Sequence, residues 1–217
     1  LGKVHHSDLY GKREDKFDVL NKSSLKSVKW QEIKHSEPYY FFVPKDFSLE
    51  KEYTEGFKVD ELFNVFNAGS ATGKDSTFVQ MNFDELVRTL NTSSIRYSDE
   101  NITDYLYRPF DTRKIIYDNT LIQRLRSKVM DHMLQNNVAL LTCKNQTSFD
   151  FQHAFISKSV TDRCSVSLQT GEVGYIFPLY LYYEDGTKSP NLDTEIVEKI
   201  EGIVGKTIPE DIFDYVY

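Results

Sequence analysis

Cysteine is almost missing from this sequence. Cys143 and Cys164 are the only two, and neither sits in a C-x-x-C pair or at Cys/His ligand spacing, which excludes a disulfide-stapled or zinc-nucleated scaffold. Long apolar runs are missing too. No stretch approaches the roughly 20 apolar residues of a membrane-spanning helix, and no charged-then-apolar signal pattern opens the chain. We therefore expect a soluble cytoplasmic protein with free thiols and no membrane partner. The five histidines (His5, His6, His35, His132, His153) show no ligand spacing with Cys or acidic residues. There is no G-x-S-x-G nucleophile elbow, no internal repeat and no low-complexity tract.

Positive charge is in deficit overall, with 26 Lys and Arg against 33 Asp and Glu and a formal net charge of −7. That total argues against nucleic acid, but the charge is unevenly placed. Residues 112–148 hold six positives (Arg113, Lys114, Arg124, Arg126, Lys128, Lys144) and two negatives (Asp118, Asp131), whereas residues 166–217 hold three positives and ten negatives. The distribution permits a local basic face opposite an acidic tail.

The 217 residues suffice for one large domain or two small lobes. Strand and helix signals are mixed without regular alternation. Strands are expected at 3–10, 28–33, 39–43, 77–81, 103–110, 114–117, 138–143, 152–159 and 174–182. Helices are expected at 13–20, 59–66, from an Asn82 or Asp84 cap to Leu90, and at 120–134. One or two acidic helices, broken by Gly205 and Pro209, should follow Asp193. The charged stretch 48–58 reads as a linker or lobe boundary. This pattern predicts an α+β fold on antiparallel or mixed sheet with flanking helices, with two lobes as one option. The aromatic-rich stretches YYFF at 39–42 and YIFPLYLYY at 175–183 read as sheet core with Tyr edges.

In the 120–134 helix, Leu121, Ile122, Leu125, Val129 and Met133 recur at helical spacing as a buried stripe. Arg124, Lys128, Asp131 and Gln135 then share an outer face, with Arg126 and His132 at the flanks of the stripe. Arg124 and Lys128 repel each other four residues apart, and a phosphate backbone relieves that repulsion. The plainer alternative is a solvated face on which Asp131 offsets Lys128. The loop AGSATGKDSTF at 68–78 is no P-loop, because Gly69 and Gly73 enclose three residues rather than four and Asp75 follows Lys74. Lys74 suits a phosphate, while Ser70 and Thr72 suit a base or sugar; the alternative is a surface turn. Lys144, Asn145, Gln146 and Thr147 open a polar turn between apolar strands, where amides can pair with adenine and Lys with guanine. The same turn is also ordinary between any two strands. Arg108 and Asp111 are expected to pair across a corner with Phe110 packed beneath, which leaves Arg113 and Lys114 for phosphate.

The order of several short motifs carries a resemblance. R-P-F-D-x-R at 108–113 precedes R-x-R-x-x-V-M-x-H-M-L at 124–134 and N-x-A-L-L at 137–141. GKREDKFDVL at 11–20, FNAGSATGKDSTFV at 66–79, YIFPLYLY at 175–182 and PEDIFDYVY at 209–217 extend it over most of the chain. Together they resemble the C-terminal target-recognition (specificity) domain of type ISP restriction–modification enzymes, which are large bacterial proteins. The resemblance implies sequence-specific duplex DNA recognition that positions a target adenine for a methyltransferase on the parent chain. It also implies partner methyltransferase and helicase-like parts, with S-adenosylmethionine, ATP and Mg used by the parent and no cofactor here. The Asn-Pro-Pro-Tyr-type tetrapeptide, a glycine-rich cofactor motif and an acidic-acidic-Lys nuclease cluster are absent, so the fragment is expected to be non-catalytic. Residues 1–55 are expected to form an N-terminal lobe or the end of a preceding methyltransferase part. Residues 56–217 are expected to form the recognition domain, cut from a longer chain. The phosphate set is Lys74, Arg113, Lys114, Arg124, Arg126 and Lys128; the base-edge set is Thr72, Lys144, Asn145, Gln146 and Thr147. The alternative is a coupling domain that docks methyltransferase to motor and reads no bases.

Overall fold

A computed structural model describes residues 2–34, 37, 39–147, 153–169 and 171–216. The chain divides into two compact units between Gly56 and Phe57, inside the charged stretch 48–58. In the first unit, β1 (Val4–His6) pairs antiparallel with β2 (Gln31–Ile33), Val4 opposite Ile33. Helix α1 (Arg13–Lys22) has no buried residue, and α2 (Glu50–Glu55) occupies the charged stretch. The strand expected at 39–43 does not form. Tyr40 takes a left-handed φ of 46°, which a strand cannot accommodate, and Tyr39 and Phe42 stay largely exposed. Tyr39 instead stacks on Phe41 with ring centroids 5.3 Å apart.

The second unit begins with α3 (Val59–Leu62), β3 (Asn67–Ala68), α4 (Asp75–Phe78), β4 (Val79–Gln80) and α5 (Phe83–Thr92). A β-hairpin of β5 (Ile102–Arg108) and β6 (Asp111–Ile116) follows, then α6 (Ser127–Met130) and a 3₁₀ turn at Asp131–Leu134. The remaining strands are β7 (Ala139–Cys143), β8 (Ala154–Ser157), β9 (Val160–Thr161), β10 (Gly174–Pro178), β11 (Tyr180–Tyr182) and β12 (Lys188–Pro190). Helices α7 (Thr194–Val204) and α8 (Pro209–Val216) end the unit. One four-stranded sheet, β3-β10-β7-β8, is antiparallel throughout. The other, β4-β6-β5-β9, is antiparallel except where β5 runs parallel to β9. The fold class is thus α+β on antiparallel and mixed sheet.

Period-2 geometry explains the layering. In β7, Ala139, Leu141 and Cys143 face one core with Leu86, Leu90, Ile115, Val129 and Met130. Leu140, between them, faces a second core with Leu62, Phe63, Leu179, Ile212 and Phe213. Strand β10 divides likewise, Ile176 into the first core and Phe177 into the second. This strand pair is covered on both faces, which is why the sequence ALLTC reads as a continuous apolar run.

Local signals place the regular helices. Asn82 caps α5 by accepting from the Glu85 N–H at 2.9 Å, and Leu86 and Leu90, four apart, bury one face. Asp193 caps α7 by accepting from the Ile196 N–H at 3.0 Å; Gly205, at φ 91°, ends it, and Pro209 starts α8.

Two expected helices are much shorter than their apolar spacing suggests. The 59–66 helix stops at Leu62, since the buried Asn191 side chain takes over the Val65 backbone, its Oδ1 accepting from Val65 N–H at 2.8 Å and its Nδ2 donating to Val65 O at 2.7 Å. The 120–134 helix reduces to α6 and the 3₁₀ turn. Gln123 and Arg124 give their backbone hydrogen bonds to a distant loop instead, and Arg126 breaks the helix start with a left-handed φ of 62°. Residues 77–81 are split between α4 and β4, and Leu179 separates β10 from β11. Of the 152–159 strand, Gln152 lies outside the described residues, and Ala154–Ser157 form β8.

Candidate nucleic-acid interface

Three segments far apart in sequence meet at one backbone junction. Ser70 N–H donates to Thr161 O at 2.8 Å, and Arg163 N–H donates to Ser70 O at 2.9 Å. Ala71 and Arg124 exchange both backbone hydrogen bonds at 3.0 and 2.9 Å, while Ser70 Oγ donates to Leu125 O at 2.9 Å. Gly69 makes the approach possible: a Cβ there would lie 2.5 Å from Arg163 N and 2.6 Å from the Asp162 carbonyl carbon. Loop 69–76 and segment 120–123 then flank a groove of about 570 Å³ whose lining includes Gly73, Lys74, Ile95 and Gln123.

Beneath the junction lies Asp162, 4% exposed. Its carboxylate accepts from Tyr105 Oη at 2.8 Å, the Cys164 N–H at 2.7 Å and Arg108 Nη1 at 3.1 Å. Burial pushes this carboxyl above its ordinary pKa, against the lowering effect of those donors. The Arg108–Asp162 pair replaces the expected Arg108–Asp111 corner. Asp111 instead takes a bidentate pair from Arg113, with contacts of 2.7–3.1 Å, because the two alternate residues project from the same face of β6. That pair holds the Asp111 carboxyl below its usual range. Arg108 and Arg113 also lie over the Tyr107 ring, 3.8 and 4.2 Å from its centroid, and Tyr107 Oη donates to Asp75 Oδ2 at 3.0 Å. Phe110 is not packed beneath the corner; it is 97% exposed.

The structure separates the expected phosphate residues into two groups. Lys74, Arg124 and Lys128 are exposed and have no ion-pair partner among the described residues. Arg126 joins them in part, half-buried, with its Nε enclosed and unpartnered; Arg163 across the junction has the same feature. Arg113 is bound to Asp111, and Lys114 Nζ lies 2.7 Å from Asp104 across the hairpin. The common outer helical face expected for Arg124, Lys128, Asp131 and Gln135 does not exist, since Arg124 lies outside the helix. Asp131 accepts from Tyr117 Oη at 2.7 Å rather than offsetting Lys128.

The base-edge set divides as well. Thr72 is 2% exposed, its hydroxyl bonded to Asp75 and accepting from the Lys74 N–H at 3.1 Å, so it shapes the loop and presents nothing to a ligand. Thr147 donates both its N–H and its Oγ1 to Glu172 Oε1 at 2.5 Å. Asn145 is exposed and Gln146 half-buried. Lys144 is exposed and turns its Nζ toward the rings of Tyr175 and Phe66, 5.1 and 5.9 Å away. The turn leaves β7 where Cys143 pairs with Gly174, the residue whose carbonyl accepts from Gly69 N–H at 3.0 Å. Loops 69–76 and 144–147 therefore leave the same end of one sheet. Ser148 lies outside the described residues.

Sequence reading missed the two buried acids that organise these loops. These are Asp162 and Glu172; the Glu172 side chain has no exposed surface and lies 3.2 Å from His153 Nε2. Hydrogen bonds from Thr147, then Ser167 and His153, hold the Glu172 carboxyl down at about 2. Their partners lie 25 and 19 residues away, so no local pattern reveals them. Among the described residues no His/Cys/Asp/Glu group could hold a metal ion, and no helix is long and apolar enough to cross a membrane.

The fold is shared with solved structures. The DrdV–DNA complex matches with a TM-score of 0.72 at 16% identity, over 99% of this chain and 26% of that one. LlaBIII, an ATP-dependent type ISP restriction–modification enzyme bound to DNA, matches with a TM-score of 0.70 at 19% identity, over 100% of this chain and 17% of that one. A nuclease-deletion mutant of the type ISP enzyme LlaGI, in complex with a DNA substrate mimic, matches with a TM-score of 0.63 at 16% identity, over 89% of this chain and 23% of that one. The chain thus spans about a quarter or less of each of these proteins. No curated protein matches it by sequence. The model of the type ISP C-terminal specificity domain matches residues 45–217, and the chain belongs to that family.

Proposed function

We propose that this domain reads a short sequence in duplex DNA for a larger bacterial restriction–modification protein, and positions a target adenine for a methyltransferase on the same parent chain. The observation that carries the proposal is the exposed set Lys74, Arg124 and Lys128, without ion-pair partners among the described residues, in a family whose solved neighbours are DNA complexes. In this reading Lys74, Arg124, Arg126 and Lys128 contact phosphates and fix register. Arg113 and Lys114 contribute only by exchanging a carboxylate for a phosphate. Lys144, Asn145 and Gln146 reach base edges, while Thr147 and Thr72 hold the loops in shape. Catalysis, S-adenosylmethionine, ATP and Mg belong to methyltransferase and helicase-like parts of the parent chain.

The test is retention of a randomised duplex pool at low salt, followed by sequencing of the bound fraction. Enrichment of one short site supports target reading. Retention without enrichment reduces the domain to phosphate contact, and no retention overturns the proposal. A second reading, a coupling domain that reads no bases, is favoured by one observation. The acidic helices α7 and α8 border an apolar groove of about 410 Å³ lined by Ile200, Ile203, Val204, Ile212 and Tyr215. Absence of retention is the outcome that favours it.

A further inference from the structure

The tip of the β5–β6 hairpin is built against the usual preferences of such turns. Arg108 and Asp111 are the last cross-strand partners, so Pro109 and Phe110 alone form the turn. Two-residue hairpins favour turns with a positive φ at the first central residue, and the proline ring fixes that angle near about −65°. The positive φ falls on the second residue instead, where Phe110 sits at 63°. Pro followed by a positive φ is the type II arrangement, whose second position ordinarily takes Gly or Asn. A bulky aromatic there is strained, and burial does not repay the strain, since Phe110 is 97% exposed. The Phe155 ring lies edge-on to it, with centroids 6.5 Å apart.

Side-chain pairs brace the base of this tip. Arg108 is tied to Asp162 at 3.1 Å, Arg113 to Asp111 at 2.7 Å, and Tyr107 to Asp75 at 3.0 Å. The same Asp162 and Asp75 anchor the junction and loop 69–76, so the ring projects from the framework that carries Lys74. A flat apolar side chain held out to solvent on a braced hairpin matches the wedges that enter a base step and unstack it.

We propose that Phe110 is such a wedge, inserting its ring into the base stack of the bound duplex. The proposal rests on the DNA-recognition reading above. It assigns the strained turn a purpose that packing does not supply.

The experiment compares the full chain with Phe110→Gly and Phe110→Trp. Three properties are read: melting temperature, salt-dependent duplex affinity, and fluorescence of 2-aminopurine placed at successive positions of the retained duplex. Glycine suits the type II position, so Phe110→Gly should melt at or above the wild-type temperature. Its affinity should fall about tenfold or more with the salt slope unchanged, since ring stacking is lost and phosphate contacts are kept. The 2-aminopurine signal at one step should disappear in Phe110→Gly and persist in Phe110→Trp. If Phe110→Gly binds and unstacks the duplex like wild type, the wedge is overturned while the DNA reading stands. A melting temperature lowered by several degrees would make Phe110 a packing residue. Failure of the wild type to retain any duplex would fell the DNA reading, and the wedge with it.

Discussion

Glu172 shows at the scale of one residue how a fold can hide what a sequence contains. Its carboxylate accepts two hydrogen bonds of 2.5 Å from Thr147 and faces His153 at 3.2 Å, with a pKa of about 2 against an ordinary 4.5. A depressed acid pKa stabilises the fold fully above the unfolded value of 4.5, and the effect is lost as pH falls toward about 2. Glu172→Gln should therefore lower the melting temperature at neutral pH, and the gap to wild type should close between roughly pH 5 and 2. Parallel melting profiles across that window would show that the carboxylate does not hold the 144–147 turn. Gly69 gives a second test. Its Cβ position lies 2.5 Å from Arg163 N, a backbone atom, so Gly69→Ala must push two segments apart and should cost about 1–3 kcal/mol in chemical denaturation. A cost below about 0.5 kcal/mol, the range of an ordinary surface change, would mean that the junction is loose. Residue roles set by near neighbours were legible, as with Asn82 capping α5. Arg108 was assigned to Asp111, its cross-strand partner, because Asp162, 54 residues away, is invisible to spacing.

Among the elements, those whose backbone bonds close within themselves were readable, and those whose bonds close elsewhere were not. Helices α5 and α7 carry cap and periodicity in their own residues, with Gly205 ending α7 and Pro209 opening α8. The 120–134 segment carries helical periodicity too, yet Arg124 N–H goes to Ala71 O at 2.9 Å and Gln123 N–H to Thr72 O at 3.3 Å. Tertiary pairing overrides propensity there, with the apolar residues still reaching the core: Ile122 is 5% exposed and Val129 fully buried. Arg124 is moved from a helix face to the junction beside loop 69–76, which changes what a substitution should reveal. Neutralising Arg124 and Lys128 together should weaken binding to all duplexes and reduce the slope of log affinity against log salt by roughly 2, about 0.9 per phosphate contact. Neutralising Arg113 and Lys114 should change that slope less and stability more, because both are bound to acids on the hairpin, Asp111 and Asp104. Equal slope changes in the two double variants would return β6 to the interface on the same footing as segment 124–128.

For the whole molecule, the overall charge of −7 conceals an uneven division. Residues 1–56 carry ten positive and ten negative side chains, so the entire imbalance belongs to residues 57–217. Within that second unit the acid is concentrated toward α7 and α8, leaving Lys74, Arg124 and Lys128 in a less acidic part of the sequence. Both hydrophobic cores draw on residues of the second unit alone, from Leu62 to Phe213. Every proposed DNA contact lies there too. The pairing of strands within the sheets, set by contacts dozens of residues apart, left no mark in the sequence. Because the first unit is charge-balanced and supplies neither core, residues 57–217 alone should unfold in one cooperative transition and bind duplex with the full chain's salt slope. Thermal unfolding and a salt titration of the two proteins side by side would decide it. A truncated protein that melts broadly would show that the second unit needs residues 1–56 to fold. One that melts sharply but loses salt-dependent affinity would move part of the phosphate interface onto the first unit, onto cations such as Lys12, Arg13 and Lys16 in and before α1.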